Sequence, residues 1–125
     1  MENYPSTEYT DKLMDTIIKM VTESWRFEKV FERVVNRLDA GEKARFISQY
    51  HWYTKKIQEY LNGIGLSVAN IEGQPFDPGM AATPINIDEF DKNETLIIDQ
   101  MIEPIIMNQV GLVKSGIVTL KRGVL

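Results

Sequence analysis

Along the first third of the chain, apolar residues recur in alternating steps of three and four. Leu13, Ile17, Met20, Val21, Phe27, Phe31, Val34, Val35 and Leu38 carry the pattern, and Ser24 takes one polar place within it. That spacing puts an apolar stripe on one side of an α-helix. Neither proline nor glycine interrupts the stretch from Tyr9 to Leu38. It therefore predicts one helix, about 45 Å long at the usual rise per residue. Asp39-Ala40-Gly41-Glu42 then offers an end and a restart: Gly41 is a breaker, and Asp39 with Glu42 has capping-box spacing. A second stripe, Phe46, Tyr50, Tyr53, Ile57, Leu61 (or Tyr60) and Ile64, predicts a helix over residues 40–62. Gly63 is the expected left-handed C-cap.

Past Gly65 the period shortens. Leu66–Ile71 alternates as a strand does, and Pro84–Phe90 is a weaker strand candidate. Glu94–Met107 predicts two short strands or one bent one, with Pro104 confining it to an edge or a bulge. Two apolar runs between Val110 and Leu125 flank Lys114-Ser115-Gly116 and predict a hairpin. Between the first strand and the rest lies Gly73-Gln74-Pro75-Phe76-Asp77-Pro78, which fits neither period. Its prolines fix φ, Asp77 can cap a local turn, and Phe76 is placed to fill the seam between helices and β unit. The expected fold class is thus α+β. A disordered N-terminus covers residues 1–8, a helical hairpin 9–65, and a small, mostly β wing 66–125.

The amount of apolar surface changes this picture. A lone two-helix hairpin has one contact face per helix, yet both helices carry broad apolar and aromatic bands. Ile18, Trp25 and Trp52 lie beside the main stripes. Two hairpins packed as a four-helix bundle bury such bands. The expectation is a homodimer through Phe27, Phe31, Val34, Phe46, Tyr50, Tyr53 and Ile57.

Charge and composition narrow the function. Residues 1–65 balance ten Lys/Arg against ten Asp/Glu, while residues 66–125 carry four against eight and supply the net charge of −4. Neither part has the basic excess of a nucleic-acid binder. No apolar run spans a bilayer, and the polar start is unlike a secretory signal, so no membrane partner and a cytoplasmic location are expected. With no cysteine, disulfides, thiol nucleophiles and thiolate zinc sites are excluded. The single histidine, His51, has Lys55 at i+4 and no carboxylate at three or four residues, so it reads as a surface or structural residue. The pairs Asp88/Glu89 and Asp91/Glu94 lack a ligand pattern and read as a solvated acidic loop. No phosphate loop, nucleophile elbow or zinc spacing occurs. Residue chemistry therefore points to a binding or scaffolding protein without cofactor, metal or catalytic residues, not to an enzyme.

A helical hairpin that ends in Ile64-Gly65-Leu66 and leads through a strand to Gly73-Gln74-Pro75-Phe76-Asp77-Pro78 resembles the GrpE family, the nucleotide exchange factors of DnaK-type chaperones. Phe27–Leu38 is similar to the end of that family's long helix, and Gly111–Ile117 to its glycine-flanked hairpin. The resemblance covers roughly residues 19–125, with Gly73–Pro78 its most specific part. Leu112 stands where the family has an aromatic, Ile117 where it has an arginine, and Gln49 where many members have a glycine. The resemblance implies a homodimer whose wing binds a chaperone ATPase domain in its open form and so promotes ADP release. It also implies partner contacts in the last strands, here Met107, Asn108, Lys114, Ile117, Lys121 and Arg122, with Gly73, Pro75, Phe76, Asp77 and Pro78 as a structural hinge. A dimeric adaptor on the same scaffold, bound to some other protein, remains the alternative.

Overall fold

The computed structural model describes residues 6–123 of the chain. It is α+β: two helices followed by two small, mostly antiparallel sheets. Helix α1 runs Thr7–Val35 and α2 runs Ala40–Gly63. Ser6 caps α1, its hydroxyl accepting from the Tyr9 N–H at 3.1 Å. Thr7 and Glu8, expected to be disordered, are therefore helical; residues 1–5 of that expectation lie outside the described residues. Helix α1 stops before the expected Leu38, because Arg37 and Leu38 turn back in tight bonds to Val34 and Val35 at 3.1 Å each. Asp39 then caps α2 by accepting from the Glu42 N–H at 3.0 Å.

The end of α2 corrects the expectation for Gly63. Gly63 is still helical, and the left-handed residue is Gly65, with φ +80°. Leu66 N–H bonds back to Leu61 C=O at 2.9 Å and Gly65 N–H to Asn62 C=O at 3.1 Å. This is a Schellman ending, and its apolar pair, Leu61 and Leu66, is buried. The same two residues, with Val21 and Ile106, form the core between the helices and the wing.

Six short strands make the wing: β1 (Ser67–Ala69), β2 (Ala82–Pro84), β3 (Leu96–Glu103), β4 (Ile105–Met107), β5 (Leu112–Lys114) and β6 (Gly116–Arg122). The weaker candidate Pro84–Phe90 gives only the end of β2 and a short 3₁₀ turn, Ile87–Glu89. Pro104 separates β3 from β4, as a residue without a ladder donor must. One sheet has the order β1-β4-β5, the other β2-β6-β3, with β2 parallel to β6.

The hairpin expected at Lys114-Ser115-Gly116 does not form. Strand β5 pairs with β4, whereas β6 pairs with β2 and β3. Ser115 alone carries the chain from one sheet to the other. Gly116 explains the placement: a Cβ there would stand 2.9 Å from Ile105 Cγ1 and 3.0 Å from the Glu103 carbonyl. Only a glycine lets β6 enter so close to the β3–β4 corner. The wing core, Ile98, Met101, Ile105, Val118 and Leu120, fills the space between the sheets.

Candidate functional site

The segment expected to act as a hinge covers a sheet edge. Gly73 N–H donates to Ile98 C=O at 2.8 Å, Ile98 N–H to Gln74 C=O at 2.9 Å, and Phe76 N–H to Leu96 C=O at 2.9 Å. The segment thus lies along the outer edge of β3 like a short extra strand, with Pro75 opposite Ile97. An unprotected edge invites pairing with another chain, and this one is closed from within. Gly73 has φ +85°, which an L side chain rarely adopts. Asp77 turns the chain after it, its carboxylate accepting from Gly79 N–H at 3.0 Å. Pro78 follows on the exposed surface. Phe76 does not fill the seam to the helices. It is half-buried against the wing's own core.

Trp25 fills that seam. Its indole N–H donates to Met101 C=O at 2.7 Å, and its ring packs on the wing core. Beside it the Lys29 ammonium lies 4.6 Å from the Trp25 ring centre and pairs with Glu72. Glu72 also accepts from Met101 N–H at 3.0 Å. Burial alone would raise the Glu72 carboxyl, but the bonds from Lys29 and Met101 outweigh it and hold the group below its ordinary value of 4.5. A second set of ions, Arg26–Glu103 at 3.4 Å and Lys114–Glu103 at 3.1 Å, ties α1 to β3 and β5. The wing is therefore fixed to α1 by the Trp25 indole and by two cations of α1, Arg26 and Lys29, paired with the wing carboxylates Glu103 and Glu72. The sequence reading missed Trp25, Lys29 and Glu72 as a unit, since 43 residues separate the ion pair.

The six residues expected to meet a partner do not share one surface. Met107 packs against the wing core. Asn108 closes the β4–β5 turn, its carboxamide oxygen accepting from Val110 and Gly111 N–H at 2.8 and 2.9 Å. Lys114 faces α1 through Glu103. Arg122 is held by Glu94 at 2.7 Å and lies over the Phe90 ring at 5.2 Å. Only Ile117 and Lys121 lie together, on the outer side of β6 with Thr119. Val118, the alternate residue, has 0% exposure, so the strand turns Ile117 away from the core. Lys121 reaches Asp99 at 3.6 Å and stays largely exposed. Lys114, Lys121 and Arg122 thus occupy three separated, ion-paired positions.

On the hairpin, away from the wing, the helices present apolar side chains to solvent. Leu13, Met20, Phe27 and Val34 of α1 are exposed and recur every seven residues. On α2, Phe46 is half-buried, and Tyr53 and Tyr60 are exposed at the same interval. A seven-residue repeat is the seam of left-handed helix packing. Phe27, Phe31 and Tyr50 stack in series, with ring centres 6.2 and 6.3 Å apart. Ser24 and Tyr53 hydroxyls bond at 2.8 Å across the helices. Tyr50 donates to Glu32 at 2.6 Å; burial first, then this bond, pushes its phenol well above the ordinary range. Ile57 is not on this surface but packs into the core below. Of the three residues beside the stripes, Ile18 and Trp25 are used by the wing contact, and Trp52 is exposed under Lys56 at 4.5 Å.

His51 is exposed beside Tyr50, and Glu94 is engaged by Arg122 and by Asp91 N–H. Among the described residues no group of three His, Asp or Glu is placed to hold a metal ion, and no helix is long and apolar enough to cross a membrane. No protein-family model, curated protein or solved structure matches this chain.

Proposed function

We propose that the chain is a GrpE-like co-chaperone: a homodimer through α1 and α2, whose wing binds the ATPase domain of a DnaK-type chaperone and favours its open form. The reading rests on one observation above the rest. The hairpin carries an exposed, seven-residue apolar repeat on the side turned from the wing, while the wing is fixed to α1 by Trp25 and Glu72. A second copy on the repeat gives a four-helix bundle with the wings facing outward. A fixed wing suits a protein that acts by differential binding. An exchange factor releases nucleotide only as far as it prefers the open partner over the closed one, and a loose wing would fit both. Ile117, Thr119 and Lys121 on the outer side of β6 form the contact surface in this reading. The dimeric adaptor is the second reading, and the ion pairs that occupy Lys114, Lys121 and Arg122 favour it.

The test is release of fluorescent ADP from the DnaK-type chaperone of the same organism, followed by stopped flow. The parent protein is expected to accelerate release. Ile117→Glu with Lys121→Glu is expected to abolish the acceleration without changing dimerisation or melting. No acceleration by the parent overturns the exchange reading in favour of the adaptor.

A further inference from the structure

A cleft of 360 Å³ lies between α1, α2 and β1, lined by Trp25, Glu28, Glu32, Tyr50, Thr54 and Gln58 among others. That volume lies in the range of small-molecule sites. Three carboxylates face it, from Glu28, Glu32 and Glu72, against the single ammonium of Lys29. Lys29 is committed to Glu72. Glu32 accepts from the neutral Tyr50 phenol. Glu28 is only 9% exposed. The neighbouring Lys29 charge and the Ser24 hydroxyl, one turn earlier on the same helix, both favour its ionised form. Among the described residues no lysine or arginine forms an ion pair with Glu28 or Glu32.

We propose that this cleft binds an organic cation with a primary ammonium or guanidinium head, held between Glu28 and Glu32. A carboxylate taken out of water without a counter-charge costs free energy, and proteins rarely keep one unless it is paired. The cation completes the pairing. The chemistry of the walls selects its type. Two carboxylates offer lone pairs to several N–H donors, Tyr50 and Trp25 give flat apolar sides, and Thr54 and Gln58 offer further polar groups. Among the described residues, the three carboxylates do not converge closely enough to hold a bare metal ion. Burial pushes the Glu28 carboxyl up from 4.5, and the Lys29 charge and the Ser24 hydroxyl offset it only in part. Its ionised form therefore weakens the fold as pH rises past that ordinary value, and a bound cation offsets the loss.

This site is independent of the chaperone reading, and its test needs no chaperone. The full chain is titrated by calorimetry at constant ionic strength with two probes. Spermidine stands for a free amine, and an acetylated, amidated arginine for a side chain offered by another protein. Saturable binding of one probe per chain is expected, and the probe that binds identifies the source. Glu28→Gln and Glu32→Gln are each expected to weaken it by about tenfold or more, as loss of a charge-assisted bond does. Glu89→Gln, an exposed change elsewhere, is expected to leave it unaltered. Glu28→Gln is also expected to melt higher than the parent at neutral pH, which shows that lost binding is not lost folding. Failure of both probes to bind overturns the proposal, as does equal affinity in the Glu28 variant.

Discussion

Ile98, Met101, Val118 and Leu120 sit inside the wing with almost no exposed surface, while Met20, Phe27, Trp52 and Tyr60 stand open on the hairpin. The two regions draw on similar proportions of apolar residues but spend them differently. The wing encloses its apolar groups between two sheets, covers the edge of β3 with Gly73–Phe76, and pairs its strand-end charges. In α2, by contrast, Leu61 alone is buried. A helix of 24 residues with one buried side chain depends on something beyond its own hairpin for its stability. The contrast separates a part that encloses its own apolar core from a part that leaves an apolar surface open to solvent.

The sharpest way to break that contrast is to charge the open surface. Phe27→Glu combined with Tyr53→Glu puts unpaired carboxylates into the proposed bundle and is expected to cost the dimer several kcal/mol. Light scattering should report monomer or aggregate, with the β signal of the wing retained in circular dichroism. A stable dimer in this variant removes the hairpin interface from consideration. Next in size is the joint between the regions. Trp25→Ala is expected to lower stability by about 3 kcal/mol, the low end for a large aromatic because the ring is only half-buried. Urea unfolding measures it, and an unchanged midpoint would mean that the wing docks without the indole. The smallest effect belongs to Glu72→Gln, expected to cost about 2 kcal/mol at neutral pH, as for a hydrogen bond to a charged group. Here acid gives a second reading. The folded Glu72 carboxyl lies below its ordinary 4.5, so its contribution is complete above that value and fades as pH falls through the lower folded one. The parent should lose stability over that window and the Gln variant should lose less; parallel curves would rule out Glu72 as the acid-sensitive link.

How far the sequence foretold this follows from the range of each interaction. The helices were legible because a period of three and four is written in neighbouring residues, and the Asp39 carboxylate accepts from the Glu42 N–H only three residues on. The break at Pro104 was legible for the same reason. The β5–β6 hairpin was misread because a turn signal is local and strand partnership is not. Gly116 is there for the Ile105 side chain, and nothing adjacent in sequence says so. The candidate sites divide in the same way. Phe27, Phe31 and Tyr53 could be placed on a stripe by counting, whereas the Glu28 cleft needs α2 and β1 to be folded onto α1 before it exists. The basic residues expected to meet a partner are close in sequence, yet the crossing at Ser115 leaves Lys114 on β5 in one sheet and Lys121 and Arg122 on β6 in the other.

That crossing also sets an order of events. Strand β6 is the middle strand of its sheet, but it is made after both neighbours, with Pro84 of β2 paired to Val118 across 34 residues. Until Gly116–Arg122 has left the ribosome, β2 and β3 have no strand to lie against, and their facing edges stay open. Closing that gap is a long-range step that must precede any reward from the wing core, so it should govern the folding rate. A nascent chain halted between residues 104 and 116 would have its helices and the Pro75–Ile97 bridge but half a core. It is at this stage of synthesis, more than in the finished molecule, that the chain is most exposed to unwanted pairing.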